Sequence, residues 1–318
     1  MSLSEDYKKI YKNEIEQGVK KEIYIYDEEQ DIHLFQPLSH NCKTLCDSGC
    51  THDCYRSLGQ LMRKNIVFYC YGEEEVVNYF NNGLFNDLDL ATKSAYKHRL
   101  PKRQADQDGL PSEVLFDLLI QTIIPNAYKL AVRTIFRQDD NNEIKGYDLT
   151  YFTSENGKIT LWLGQAKLGD KQYCKKGIID DLVKKYKSLY LSKQIYFLAD
   201  KPCFLTQEGK EIAALINNLN MINANQDDKT RAEKFIEYLD YKNIDINIPC
   251  LLAYEKKSVY INVENLEKKI ETEIEWAKKY FNKLFAFSSF KPKLIFFILP
   301  IEDLDELRGD DGFYAGLC

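Results

Sequence analysis

The stretch GYDLTYFTSENGKITLWLGQAKLG, residues 146–169, constrains the fold more than any other. Two runs rich in β-branched and aromatic residues flank Asn156-Gly157, a dipeptide that tolerates the two left-handed positions of a tight hairpin turn. Residues two apart along a strand share a face. Ile159, Leu161, Leu163, Gln165 and Lys167 therefore make one face, and Thr160, Trp162, Gly164 and Ala166 the other. The first face is apolar until it reaches an amide and an ammonium, which are costly to bury unless something pairs with them. On the preceding strand Asp148 shares a face with Gly146 and Thr150. One carboxylate, one amide oxygen and one lysine can thus converge at one end of the hairpin.

The flanking segments supply a setting. SEVLFDLLIQTII reads as a helix, with Ser112 as its N-cap after Pro111. YKLAVRTIF reads as a strand, KKGIIDDLVKKYKSLYL as an amphipathic helix and QIYFLAD as a further strand. The order is α-β-β-β-α-β, an α/β fold with a mixed sheet. Helices near 206–219 and 228–239, a strand at IPCLLAYEK, a helix over 263–284 and a strand at PKLIFFILP would widen and cover that sheet. Earlier, KEIYIYD and NIVFYCYG read as short strands and EEEVVNYFNNG as a helix, a smaller α+β region. HRLPKRQADQDGLP, with two prolines, a glycine and many charges, marks a boundary. We therefore expect an N-terminal region over 1–97 and a larger domain over 98–318.

A fourth polar group is expected from the helix before the hairpin. Glu113 sits in its first turn among Val114, Leu115, Leu118 and Leu119. With Asp148 and Gln165 it would form an oxygen-rich set of the kind Mg²⁺ or Mn²⁺ takes. Such a metal polarises a phosphate and lowers the pKa of an attacking water. Lys167 could position that water or stabilise charge developing on the phosphate. The competing readings are a buried Asp–Lys pair in an ordinary sheet and, for Glu113, an acid that complements the helix dipole.

This arrangement resembles the PD-(D/E)xK nuclease superfamily and its restriction-endonuclease-like fold, matched at Glu113, Asp148 and the QAK of 165–167. Over about residues 60–301, GYDLTYF, LWLGQAKLG, GIIDDLVKKY and KLIFFILPIEDLDEL resemble the HamA nuclease family of Hachiman anti-phage defence and the related AbpA proteins. The resemblance implies a DNA nuclease partnered with a superfamily-2 helicase, HamB in Hachiman, that restrains it until it meets aberrant or phage DNA. The departure is Gln165, where most relatives would place Glu, although Mrr-like nucleases carry a similar Gln-x-Lys. An active natural variant, a deliberately silenced one and a degenerate site are all open. So is a catalytically silent subunit that senses DNA or regulates the helicase. An RNA substrate is a further alternative.

The remaining features bound these readings. A net charge of −6 excludes a general polyanion binder, so contact with DNA must come from local patches. Lys97, Arg99, Lys102 and Arg103 form one candidate patch, and Lys171, Lys175 and Lys176 another. Cys42, Cys46, Cys50 and Cys54 recur at four-residue steps and are a candidate Zn²⁺ site, though zinc modules usually pair ligands as C-x₂-C. The Gly-Lys of the hairpin turn is not a phosphate-binding loop, since Phe152 stands where glycine is needed. ATP use would fall to a partner chain. A charged opening without a signal sequence, nine cysteines and no long apolar run lead us to expect a cytoplasmic protein that does not enter membranes.

Overall fold

The structure, a computed structural model, describes residues 19–27, 30–37, 54–100, 109–124, 126–130, 146–199, 227–259, 266–281 and 292–317, with a few positions between 212 and 218. Its centre is a seven-stranded sheet in the order β1-β2-β7-β6-β5-β4-β3. The strands are β1 (Val19–Asp27), β2 (Gln30–Pro37), β3 (Tyr128–Lys129), β4 (Leu149–Glu155), β5 (Lys158–Gly169), β6 (Ile244–Glu255) and β7 (Lys293–Ile301). β4 and β5 form the expected antiparallel hairpin, with Leu149 opposite Gly164. Its turn places Asn156 at φ 51° and Gly157 at φ 78°, the left-handed pair that the Asn-Gly signal predicts. β6 runs parallel to β5 and β7 parallel to β6. Parallel strands covered on both faces need continuous apolar runs, and LIFFILPI in β7 is one.

The helices are α1 (Cys54–Tyr71), α2 (Glu73–Asn81), α3 (Leu88–Arg99), α4 (Leu110–Ile123), α5 (Lys171–Lys185), α6 (Ser188–Ala199), α7 (Asp228–Tyr241), α8 (Leu266–Phe281) and α9 (Leu304–Arg308). They divide between the two faces of the sheet. Residues of α1 and α4 pack on Leu149, Tyr151, Ala166, Leu168, Leu251 and Phe297. Residues of α5, α6, α7 and α8 pack on the alternate positions, Phe152, Leu161, Leu163, Leu252 and Phe296. α4 comes very close to the hairpin at Gly164, where a Cβ would stand 2.6 Å from the Phe116 ring and 2.9 Å from the Pro249 carbonyl oxygen.

Several expectations are corrected. NIVFYCYG is not a strand but the end of α1. Its β-branched and aromatic residues favour a strand locally, yet Met62, Ile66, Val67 and Cys70 are all buried, and burial outweighs propensity. QIYFLAD is not the sixth core element, because residues 188–199 are helical. Leu191 and Ile195, four apart, are buried together in the second core. β6 takes that strand's place beside β5. The α4 N-cap is Gly109, not Ser112. Ser112 lies inside the first turn, where its hydroxyl donates back to the Gly109 carbonyl at 2.7 Å. The N-terminal segment supplies β1 and β2 to the same sheet, through the parallel pairing of β2 with β7. Of YKLAVRTIF only Tyr128–Lys129 is a described strand, and the stretch after Leu130 lies outside the described residues, as do most of 206–219.

Candidate active site

The register of the hairpin builds the site. Leu149 faces Gly164, so Asp148, one residue earlier, stands opposite Gln165 at the open end of the pair. The Asp148 amide donates to the Gly164 carbonyl at 3.0 Å, and one carboxylate oxygen accepts the Ala166 amide at 2.9 Å. Asp148 is thereby fixed beside Gln165 and 4.0 Å from the Lys167 ammonium.

Gln165 is fully buried. Its Nε2 donates to the Gly164 carbonyl at 2.9 Å and to the Gly146 carbonyl at 3.5 Å, while its Oε1 accepts from the Lys185 ammonium. These partners fix the amide's orientation, since a carbonyl takes only a donor and an ammonium only an acceptor. An amide serves both where a carboxylate would serve one. Lys167 is gripped by Asp181 at 2.7 Å, and Asp181 is also 3.1 Å from Lys185. Burial works to lower the Lys167 pKa, but the Asp148 and Asp181 carboxylates outweigh it and hold the group above the ordinary lysine value. Lys167 is therefore a cation at neutral pH in this arrangement. Its stem runs over Gly177 of α5, where a Cβ would meet Lys167 Cε at 2.9 Å.

Asp181, Lys185 and Gly177 are the residues that sequence reasoning missed, and a signal was available. Cys174, Ile178 and Leu182 are the buried stripe of α5. Positions 174, 178, 181 and 185 continue at helical spacing, which turns Asp181 and Lys185 toward the sheet. By sequence alone, Lys185 reads as part of a basic run on a solvated helix face and Asp181, with Asp180, as an interruption of it.

Glu113 does not share this face. Its helix covers the opposite side of the sheet, and its carboxylate accepts the Tyr69 hydroxyl. Reaching a cation held by Asp148 would take it across the open end of the hairpin. One turn along, Asp117 anchors a separate buried network. It accepts from Asn65 at 2.9 Å, Gln121 at 2.6 Å and the Tyr151 hydroxyl, and pairs with Lys129 at 2.9 Å. The structure brings Asp148, Gln165 and Lys167 together with Asp181 and Lys185, and places Glu113 beside Tyr69 on the α4 side of the sheet.

The donor chemistry fits a hard divalent cation: two carboxylates and an amide oxygen, with no soft ligand among them. Its weak point is charge, since two ammonium groups already balance the two carboxylates. No group of three or more His, Cys, Asp or Glu residues is placed to hold a metal among the described residues. Cys42, Cys46 and Cys50 lie outside the described residues, and Cys54 opens α1. Cys70, Cys174 and Cys250 are buried thiols, and burial pushes Cys174 up to about 12.

The proposed DNA contacts separate into distinct cases. Lys171 is engaged by Glu273, which also accepts from Tyr254, and it lies 3.9 Å from the centre of the Trp276 ring. Burial lowers its pKa. Its ammonium is thus taken up by an intramolecular carboxylate and ring. Lys175 sits 4.1 Å over Tyr280 and Arg99 4.8 Å over Tyr71. Lys97 and Lys176 are exposed, and Lys102 and Arg103 lie outside the described residues. No helix among the described residues is long and apolar enough to cross a membrane.

No curated protein matches the chain. The HamA family model matches residues 4–315, nearly the whole sequence. The chain belongs to the HamA family, a family of Hachiman anti-phage defence subunits.

Proposed function

We propose that this chain is the nuclease of its defence system, hydrolysing DNA phosphodiesters with Mg²⁺ or Mn²⁺ in concert with a superfamily-2 helicase. The observation that carries the reading is the buried Asp148–Gln165–Lys167 group at the open end of the hairpin, with Lys167 kept charged by two carboxylates. Asp148 and the Gln165 oxygen would hold the metal, which supplies an activated water and polarises the phosphate. Asp148 has one oxygen committed to the Ala166 amide and so presents a fixed ligand. Lys167 stands as a permanent ammonium that stabilises charge on the phosphate oxygens. Gln165 is suited to its place, because its amide satisfies the Gly164 carbonyl as well as accepting a cation. That favours a natural variant over a degenerate site. Lys97 and Lys176, exposed on α3 and α5, are the members of the two basic patches that would meet a phosphate backbone.

The test is cleavage of linear and supercoiled DNA by the purified chain, alone and with its helicase, with RNA of the same sequence beside it. Cutting that Lys167→Ala abolishes supports the reading. A second reading is a silent DNA-sensing or helicase-regulating subunit. It is favoured by the charge balance of the site, where two ammonium groups leave little attraction for a divalent ion. Metal-dependent cutting by Gln165→Glu but not by the natural chain would decide for it.

A further inference from the structure

The Lys185 ammonium bridges the Gln165 Oε1 and Asp181 Oδ1 atoms. An amide oxygen and a carboxylate oxygen that share one cation are the donors a divalent ion would use. We propose that Lys185 is a resident cation of the site, occupying the Gln165 and Asp181 oxygens in the metal's stead, so that metal loading requires its ammonium to swing out. The inference rests on the metal-dependent reading above and concerns how that site is regulated.

Three observations converge on it. Asp148 and Asp181 are matched by Lys167 and Lys185, so the group is electrically balanced as it stands. A divalent ion added without any departure would meet two ammonium groups at close range, where like charges repel strongly. The two lysines also differ in freedom. Lys167 lies near the C-terminal end of β5, its stem lies against Gly177, and it touches both carboxylates. Lys185 is the last residue of α5, and its side chain is about as exposed as that of Lys167, 21% against 19%, with its carbonyl held by the Tyr147 hydroxyl; its ammonium, however, meets one carboxylate where Lys167 meets two. Of the two it is the more weakly held. Lysine suits such a place: a compact charge on a flexible stem, which could exchange the Gln165 oxygen for water or for a DNA phosphate. Gln165 belongs to the same device. Glutamate there would hold Lys185 by a full ion pair, whereas an amide oxygen holds it more weakly and releases it more readily.

The experiment is a titration of the full chain with Mn²⁺, following free Mn²⁺ by electron paramagnetic resonance. The natural protein is compared with Lys185→Met, Lys185→Gln and Lys184→Met. The glutamine variant keeps a donor for Gln165 and guards against loss of fold in the methionine variant. Lys184→Met removes the same charge from an exposed neighbour. Both Lys185 variants should bind Mn²⁺ at least about tenfold more tightly than the natural chain, with Lys184→Met unchanged, because a charge within about 4 Å is removed in one case only. Lys185 variants that bind no better than the natural chain would overturn the inference and leave the metal-dependent reading standing. Tight binding by them without DNA cleavage would uphold the inference while removing the nuclease reading. Absence of Mn²⁺ binding by every variant would remove both.

Discussion

Gln165 is where a single residue decides most. Its Nε2 donates to the Gly164 carbonyl at 2.9 Å, in a place with no exposure to water. Gln165→Glu sets a carboxylate oxygen against that carbonyl, and a buried acceptor facing an acceptor costs about 1–3 kcal/mol. We expect a lower denaturant midpoint with an unchanged slope, measured by chemical unfolding. Lys167 gives a pH prediction. Its folded-state pKa lies above the ordinary 10.5. Its stabilising contribution is thus complete below 10.5 and is lost only as pH rises through the higher folded value. A pH–rate profile of DNA cleavage should show no lysine inflection between about pH 6 and about pH 9. An inflection there that disappears in Lys167→Arg would show that Lys167 acts as a base. Glu113 offers a contrast with Asp148. Held by Tyr69 on the other face, Glu113→Gln should leave Mn²⁺ affinity within about twofold, whereas Asp148→Asn removes a ligand and should cost about tenfold or more. Comparable losses for both would show that Glu113 reaches over the open end of the hairpin.

Elements explain why the sequence was legible in some places and not in others. The hairpin could be read because its turn chemistry, alternation and register agree: Asn156-Gly157 sets the pairing, and the pairing sets Asp148 opposite Gln165. α1 and α6 were misread for one reason. NIVFYCYG and QIYFLAD are short apolar runs, and a short apolar run is shared by buried strands and buried helices. What decided them was their partners: α4 and the C-terminal turn for the first, the second core for the second. The sheet position expected of QIYFLAD belongs to β6, far along the chain, a choice that no local pattern encodes. α5 carries the most useful lesson. Its inward stripe holds Asp181 and Lys185, and its Gly177 leaves room for the Lys167 stem. Gly177→Ala should gain helix stability, by up to about 1 kcal/mol, yet displace the ammonium. We expect an equal or higher melting temperature with reduced cleavage. Gly164→Ala should do the opposite to stability. Its Cβ meets the Phe116 ring at 2.6 Å, and overpacking of this kind costs about 1–3 kcal/mol.

For the whole molecule, one sheet joins the N-terminal strands to the hairpin that carries the site, with β7 and β6 between them. The site stands at the end of that sheet, backed by α5 on one face and by α4 and α1 on the other. Net charge is −6, so a DNA substrate must be drawn by local lysines against a repulsive background. Cleavage by the isolated chain should therefore fall steeply as salt rises, and a helicase that delivers the strand should soften that dependence. If Asp148, Gln165 and Lys167 form a working phosphodiesterase site, the loss of Lys167 must abolish cutting. The most direct test is cleavage of linear duplex DNA in Mg²⁺ or Mn²⁺, with the helicase present, by the natural chain and by Lys167→Ala. The first should cut and the second should not. Cutting by both, or by neither when both are folded, would contradict that reading.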